Sequence, residues 1–173
     1  MSKPIRVDLP YPKIENAICD KHSATVISPA YCGLYGELSA ILSYTYQNFN
    51  FKFLDDLDTA ELFMGIGIVE MQHFQILGET LCSLGVDPIF TVYPPYKSDF
   101  YSTSSIIFSR SPEKMLMDAI TGELVAINEY KRMLKCLKNE QVATVIERIV
   151  LDEELHVRVL KEKFNAYDVK IFY

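Results

Sequence analysis

The chain has 173 residues, 49% of them hydrophobic, which is enough to bury the core of one domain and excludes a disordered protein. A net charge of −6 and a pI near 5.1 leave no basic surface for phosphate and exclude nucleic acid as a partner. The four cysteines form no C-x-x-C pair, and no apolar run suits a signal peptide or a membrane span, so we expect a cytoplasmic protein without a zinc ribbon.

Residues 1–29 contain four prolines among scattered apolar residues and predict an extended or partly ordered lead-in. Apolar residues spaced three and four apart then predict a first helix over 29–49, with Pro29 at its start. A short break separates it from a second helix, predicted over about 58–84 and ended by Gly85.

A connection of about 26 residues follows, from 86 to 111, which is unusually long for a compact domain. Its aromatic residues predict that it packs along the bundle as a crossover; they are Phe90, Tyr93, Tyr96, Phe100, Tyr101 and Phe108. Ser111 suits the N-cap of a third helix that runs to about 137, with Pro112 as its first residue. A fourth helix is predicted over about 141–166, followed by a short tail, 167–173. The predicted fold class is therefore all-α, a four-helix bundle whose one long crossover joins helices 2 and 3.

The first and third predicted helices contain near copies of one motif. It reads Gly-Glu-Leu-Ser-Ala-Ile-Leu-Ser-Tyr at 36–44 and Gly-Glu-Leu-Val-Ala-Ile-Asn-Glu-Tyr at 122–130, and each copy is followed about thirty residues later by Glu-x-x-His. In each predicted hairpin, the motif glutamate lies about as many residues before the turn as the Glu-x-x-His glutamate lies after it. If the two helices of each hairpin are antiparallel, all of these side chains lie in one layer. The six candidate ligands are Glu37, Glu70, His73, Glu123, Glu153 and His156.

Buried together, four carboxylates would each lose several kcal/mol of hydration, which two divalent cations would offset. Each metal could take one terminal glutamate and one histidine, with two glutamates bridging both metals. The terminal pairs would be Glu37 with His73 and Glu123 with His156, and the bridging residues would be Glu70 and Glu153. Oxygen and imidazole ligands suit iron or manganese.

Residues beside the ligands are candidates for supporting roles. Tyr44 and Tyr130 follow the terminal glutamates by two turns, where their hydroxyls could donate to site carboxylates or simply lie in the core. Asp152 and Glu154 flank a ligand but turn off its face, and we expect them to be solvated or to lie just outside the ligands.

With these residues the chain resembles the ferritin-like di-iron carboxylate superfamily, and within it the rubrerythrin and bacterioferritin branch, which carries Glu and then Glu-x-x-His twice. The resemblance covers about residues 30–166, including the long crossover. It implies a ferritin-like bundle holding two iron ions, with manganese as the other possibility. The chain departs from complete rubrerythrins because it has no four-cysteine rubredoxin set, and Ile120 stands where a further carboxylate is common.

The resemblance implies an oxidoreductase of the peroxidase or ferroxidase type, whose six ligands act through the metals. It would reduce hydrogen peroxide or oxygen, with a separate electron donor if it is a peroxidase, or would oxidise ferrous iron. A dimanganese catalase and an iron-storage ferritin-like protein are the alternatives. Few residues follow the fourth helix, so we expect a homodimer rather than a cage. Met71 stands where bacterioferritins ligate haem, but it points away from His73, and haem is not expected.

Overall fold

The computed structural model describes residues 2–15, 19–94 and 100–170, apart from the side chains of 105 and 168–170. In this part of the chain the α-helices are α1 (Lys21–Cys32), α2 (Glu37–Phe53), α3 (Leu57–Ser83), α4 (Pro112–Cys136) and α5 (Glu140–Lys170). The same residues contain one 3-10 turn, Thr103–Ser105, and an isolated bridge between Thr91 and Phe100, but no strand. The predicted all-α class is confirmed. Among the described helices, none combines the length and the apolar character that a membrane span requires.

Two helical hairpins form the bundle, one from α2 and α3 and the other from α4 and α5. The caps explain where the helices begin. Asp56 accepts from the backbone N–H of Thr59 at 3.1 Å, and Ser111 accepts from that of Lys114 at 3.2 Å, with Pro112 as the first residue of α4. The predicted starts of the second and third helices therefore agree with the structure.

The predicted first helix over 29–49 is wrong at its start, because the chain breaks between α1 and α2. Gly33 and Gly36 are extended there, and α2 begins at Glu37. A Cβ atom on Gly33 would lie 2.4 Å from the carbonyl oxygen of Pro29, so only glycine fits this close approach. The break places Glu37 in the first turn of a helix, where the positive end of the helix dipole favours a carboxylate.

The predicted extended lead-in is wrong for residues 21–29, which belong to α1. Asp20 caps this helix by accepting from the N–H of Ser23 at 3.0 Å and from its hydroxyl at 2.5 Å. Pro29 lies inside the helix rather than at its start. Because Pro29 has no N–H, the carbonyl oxygen of Thr25 lacks its usual helical donor, and the Ser28 hydroxyl lies 3.5 Å from this oxygen instead.

Residues 3–11, which we call the N-terminal strap, contain neither helix nor strand, bend at residues 8–9 and cross α3 and α5. Ile5 donates its N–H to the carbonyl oxygen of Gly65 at 3.2 Å. A Cβ on Gly65 would lie 2.6 Å from the Lys3 carbonyl oxygen, so this glycine admits the strap against α3. The non-helical character predicted for the start of the chain is present in this segment.

The described part of the crossover packs along α1. Tyr93 donates its N–H to the Ser28 hydroxyl at 2.9 Å, and the Tyr31 hydroxyl donates to the Pro88 carbonyl oxygen at 2.9 Å. These contacts confirm that the described part of the crossover packs on the bundle. Three of its aromatic rings are nevertheless more than half exposed: Phe90, Phe100 and Phe108. Tyr96 lies outside the described residues.

At the C-terminal end of the chain, α5 extends to Lys170, so residues 167–170 of the predicted tail are helical. Residues 171–173 lie outside the described residues.

Within the described residues, the interior contains two apolar clusters with a polar layer between them. One cluster lies near the α4–α5 turn, where it joins α1 to the C-terminal part of α3, and includes Ile27, Leu77, Leu81, Ile146 and Ile149. The other lies near the α2–α3 turn and includes Phe51, Phe63, Ile66, Leu116 and Leu160. Apolar burial on both sides fixes the helices, so the layer can hold charged groups without unfolding the bundle.

Candidate metal centre

The polar layer contains all six candidate ligands. Each is at most 4% exposed. Glu37 comes from α2, Glu70 and His73 from α3, Glu123 from α4, and Glu153 and His156 from α5. The i, i+3 spacing turns each histidine to the same side of its helix as its glutamate, as the sequence predicts.

The ligand atoms form two groups, and within each group they all lie within 4.8 Å of one another. Glu37, Glu70, His73 and Glu153 make the first group, and Glu70, Glu123, Glu153 and His156 make the second. Glu70 and Glu153 belong to both. This is the sharing that the sequence predicted for two bridging glutamates.

The individual oxygens show how the sharing arises. Glu70 places Oε1 3.1 Å from His156 Nδ1 and Oε2 3.7 Å from His73 Nδ1. Glu153 does the reverse, with Oε1 3.2 Å from His73 Nδ1 and Oε2 3.3 Å from His156 Nδ1. Each of these two carboxylates therefore presents one oxygen to each histidine.

The terminal glutamates instead divide their oxygens between a histidine and a tyrosine. Glu37 Oε2 lies 3.8 Å from His73 Nδ1, and Oε1 accepts from the Tyr130 hydroxyl. Glu123 Oε2 lies 3.6 Å from His156 Nδ1, and its Oε1 accepts from the Tyr44 hydroxyl.

The predicted tyrosine hydrogen bonds are thus present, and each crosses to the other hairpin. Tyr44 of α2 binds a glutamate of α4, and Tyr130 of α4 binds a glutamate of α2. They fix one oxygen of each terminal carboxylate and leave the other facing inward.

Several inward-facing atoms have no hydrogen bond among the described residues: Glu70 Oε1, His73 Nδ1 and Glu153 Oε1. Two of these, His73 Nδ1 and Glu153 Oε1, are 3.2 Å apart, but they are not aligned to bond each other. Buried polar atoms almost always have a partner. Atoms that converge without bonding each other are arranged as ligands around a common centre.

Burial and crowding shift the pKa values of the whole layer. Burial, reinforced by Glu70, raises the pKa of Glu37 well above its usual range, and burial with Glu153 nearby does the same for Glu123. Burial acts to lower the pKa values of His73 and His156, but the surrounding carboxylates outweigh it and raise both. Burial also acts to raise the pKa values of Glu70 and Glu153, but hydrogen bonds from neighbouring carboxyl and histidine groups outweigh it and lower both. Without metal, the layer therefore holds protons on the terminal glutamates and the histidines and negative charge on the two shared glutamates.

Each histidine is oriented by a contact to its outer nitrogen. His73 Nε2 lies 3.2 Å from Asp152 Oδ2, and His156 Nε2 lies 2.8 Å from the carbonyl oxygen of Ile5. A carbonyl oxygen can only accept, so His156 carries a proton on Nε2, and in the neutral ring Nδ1 offers its lone pair inward. Fixing the outer nitrogen in this way is how proteins orient histidine ligands.

Of the two acidic residues beside Glu153, only Asp152 belongs to the layer. Asp152 is fully buried, whereas Glu154 is exposed and pairs with Lys131 at 3.0 Å. Burial would raise the pKa of Asp152, but hydrogen bonds, first of all from His73, lower it to about 2. The sequence contained a signal for this role, because Asp152 directly precedes the glutamate of Glu-x-x-His.

A cavity of about 220 Å³ leads from the surface between α2 and α4 to the polar layer. Four carboxylates of the layer line it, together with mainly small and apolar residues: Glu37, Glu70, Glu123, Glu153, Ala40, Ala119, Val125 and Ala126. Gly122 also lines it, and a Cβ there would meet nothing within 4 Å. A small molecule can therefore reach the carboxylates from this side.

Comparison with known proteins points to one family. Residues 8–98, just over half of the chain, match the family model described as manganese containing catalase. Two crystal structures of KatB, a manganese catalase from Anabaena, superpose with TM-scores of 0.78 and 0.75 at 18% identity, covering 97% of this chain and 80% of that chain. No curated protein sequence matches.

These matches confirm the ferritin-like fold and the resemblance to the di-metal carboxylate superfamily. They do not confirm the rubrerythrin-like branch, and they favour manganese over iron. The chain is a dinuclear metal carboxylate protein, and it belongs to the manganese containing catalase family.

Proposed function

We propose that this chain is a dinuclear manganese catalase that converts hydrogen peroxide to water and oxygen. The observation that carries the proposal is the pair of four-residue groups sharing Glu70 and Glu153. The family match and the likeness to manganese catalases support manganese as the metal and peroxide as the substrate.

The donor set fits two divalent cations. Four carboxylates balance the charge of two such ions, and the inward atoms without hydrogen bonds are placed to bind them. Glu37 and His73 would hold one ion, Glu123 and His156 the other, and Glu70 and Glu153 would bridge. Carboxylate and imidazole donors without thiolate suit manganese.

When bound, the two metals would store the two electrons that one peroxide gives up and the next one takes. The oxidation of one peroxide to oxygen also releases two protons, and the reduction of another to two waters consumes two. No outside electron donor is needed. The two protons released in one half of the cycle therefore balance the two consumed in the other.

Glu37 and Glu123 both line the cavity and would each hold one of the two ions. The hydroxyls of Tyr130 and Tyr44 hold one oxygen of each carboxylate in place and leave the other oxygen facing the metal position. The mainly apolar cavity wall favours a small neutral molecule such as hydrogen peroxide over an ion.

Oxygen release tests the proposal directly. Protein loaded with manganese should release one oxygen for every two peroxides consumed, without any donor, as measured with an oxygen electrode. Metal analysis should find about two ions per chain, one for each ligand group. Fewer than one ion per chain would contradict the dinuclear site.

A di-iron oxidoreductase is the second candidate, because the same oxygen and imidazole donors suit iron. Iron-loaded protein acting as a peroxidase would consume peroxide only with an added donor and would release no oxygen. Ferrous iron oxidised without turnover of peroxide would favour ferroxidase or storage activity. Size-exclusion chromatography separates the proposed homodimer from a cage.

A further inference from the structure

The N-terminal strap lies against the side of the polar layer where the histidines present their outer nitrogens. Its Ile5 carbonyl oxygen accepts from His156 Nε2 at 2.8 Å. Its Val7 N–H donates to Asp152 Oδ1 at 2.7 Å, and its Tyr11 hydroxyl donates to Asp152 Oδ2 at 2.6 Å. Asp152 in turn contacts His73, so the strap reaches both histidines.

Arg148 ties the strap to the same layer. It donates to the carbonyl oxygens of Val7 at 2.8 Å and Leu9 at 2.9 Å, and its guanidinium lies 4.4 Å from the centre of the Tyr11 ring. It also lies 2.8 Å from Asp152. Arg148 is 5% exposed and Asp152 is fully buried, so both charges depend on these partners.

A difference between the two Glu-x-x-His segments explains why His156 needs a partner from the strap. Residue 69 of the first hairpin corresponds to Asp152 of the second, because each directly precedes the glutamate of Glu-x-x-His. Residue 69 is a valine and has no side-chain acceptor. His73 therefore has a carboxylate from α5, whereas His156 takes a main-chain carbonyl from the strap.

We propose that the N-terminal strap is a working part of the metal centre, positioning both ligand histidines so that metal retention and strap docking reinforce each other. It acts on His156 through the Ile5 carbonyl and on His73 through Asp152, which Val7 and Tyr11 hold in place. The inference rests on the proposed function, because it requires metal at the six ligands. Coupling is reciprocal: if the strap strengthens metal binding, metal must strengthen strap docking to the same extent.

Removal of one hydroxyl tests the first half of this coupling. Tyr11→Phe keeps the ring over Arg148 but removes a hydrogen bond to Asp152, and it should weaken manganese binding about tenfold, the lower end of the effects seen for outer partners of metal ligands. Tyr31→Phe is the matched control, because its hydroxyl donates to the Pro88 main-chain carbonyl in the crossover and not to a residue of the layer. Chelator competition measures affinity, and thermal unfolding of the metal-free proteins checks that both variants fold equally well.

Proteolysis tests the second half. Trypsin cleaves after Arg6, an exposed residue in the strap, and saturating manganese should slow this cleavage at least tenfold, because undocking the strap removes the Ile5 and Val7 contacts as well as that of Tyr11. Cleavage after Lys138, exposed at the turn before α5, serves as the control and should change little. Mass spectrometry follows both sites in the full-length protein.

The outcomes separate the strap from the metal site. If the wild type binds two manganese ions while Tyr11→Phe matches Tyr31→Phe and cleavage after Arg6 is unchanged, the strap inference is wrong and the proposed function stands. Equal slowing at Arg6 and Lys138 would also overturn it, since that indicates general stabilisation. A wild type that binds no manganese overturns both.

Discussion

The two sides of the metal layer are built differently. Between α2 and α4, a cavity with mainly apolar walls opens onto the carboxylates, and two tyrosine hydroxyls are the polar contacts that join these helices at the layer. On the opposite side, the outer nitrogens of the histidines are covered by the strap and by the Arg148–Asp152 pair. One side leaves the carboxylates facing a cavity, and the other holds the histidines in place.

This difference shows how one bundle can leave space beside the carboxylates and still hold the histidines firmly. Substrate entry needs space beside the carboxylates, and space means fewer contacts and weaker restraint. Metal geometry needs ligands held to within a fraction of an ångström. The chain satisfies both needs by placing the hydrogen-bonded support behind the histidines. Substitutions on the two sides should therefore change different quantities.

The largest effect is expected from removing a histidine. His73→Ala or His156→Ala deletes a donor that belongs to one ligand group only, so each variant should keep about one of two manganese ions and lose oxygen release. Metal analysis and an oxygen electrode measure both quantities. His22→Ala is the control, because this histidine contacts the Cys136 carbonyl oxygen away from the layer. Two ions retained in both ligand variants would contradict the assignment.

A smaller effect is expected behind the ligands. Asp152→Asn keeps the shape but removes the charge that faces His73 and Arg148, and manganese affinity should fall about 10–100-fold. Glu154→Gln is the matched control one residue away, since Glu154 is exposed and pairs only with Lys131 among the described contacts. Competition with a metal indicator gives both affinities. Equal affinities would show that the supporting side does not fix the ligands.

The smallest effect on the metals is expected on the cavity side. Gly122→Leu should narrow the cavity and lower kcat/KM for hydrogen peroxide without changing metal content. Gly122→Ala is the control: its Cβ meets nothing within 4 Å, and it should stabilise α4 by about 0.5–1 kcal/mol in chemical denaturation. Loss of manganese from Gly122→Leu would show that the two sides are not independent.

Much of the site could be predicted because its signals are local. The spacing of Glu70 and His73 is a property of one helix, and the repeat of the motif around Glu37 and Glu123 is visible in the letters alone. Helix caps such as Ser111 depend on three or four neighbouring residues. The similar distances of the candidate ligands from each turn then predict that they lie at one height along the bundle.

Other parts of the site could not be predicted, because they join segments far apart in the chain. The break before Glu37 depends on how closely Gly33 approaches Pro29, and the contact from Ile5 to His156 spans 151 positions. Asp152 carried a signal in its position, but its burial became clear only once the strap and Arg148 were placed around it.

The amino-acid sequence therefore predicts the six candidate ligands, the helical hairpins and the sharing of two glutamates, since periodicity and spacing follow from the geometry of a single helix. Which side of the layer is open and which is supported follows only from the tertiary structure. That choice depends on the path of the strap, which is held by hydrogen bonds to distant residues rather than by any repeating pattern of its own.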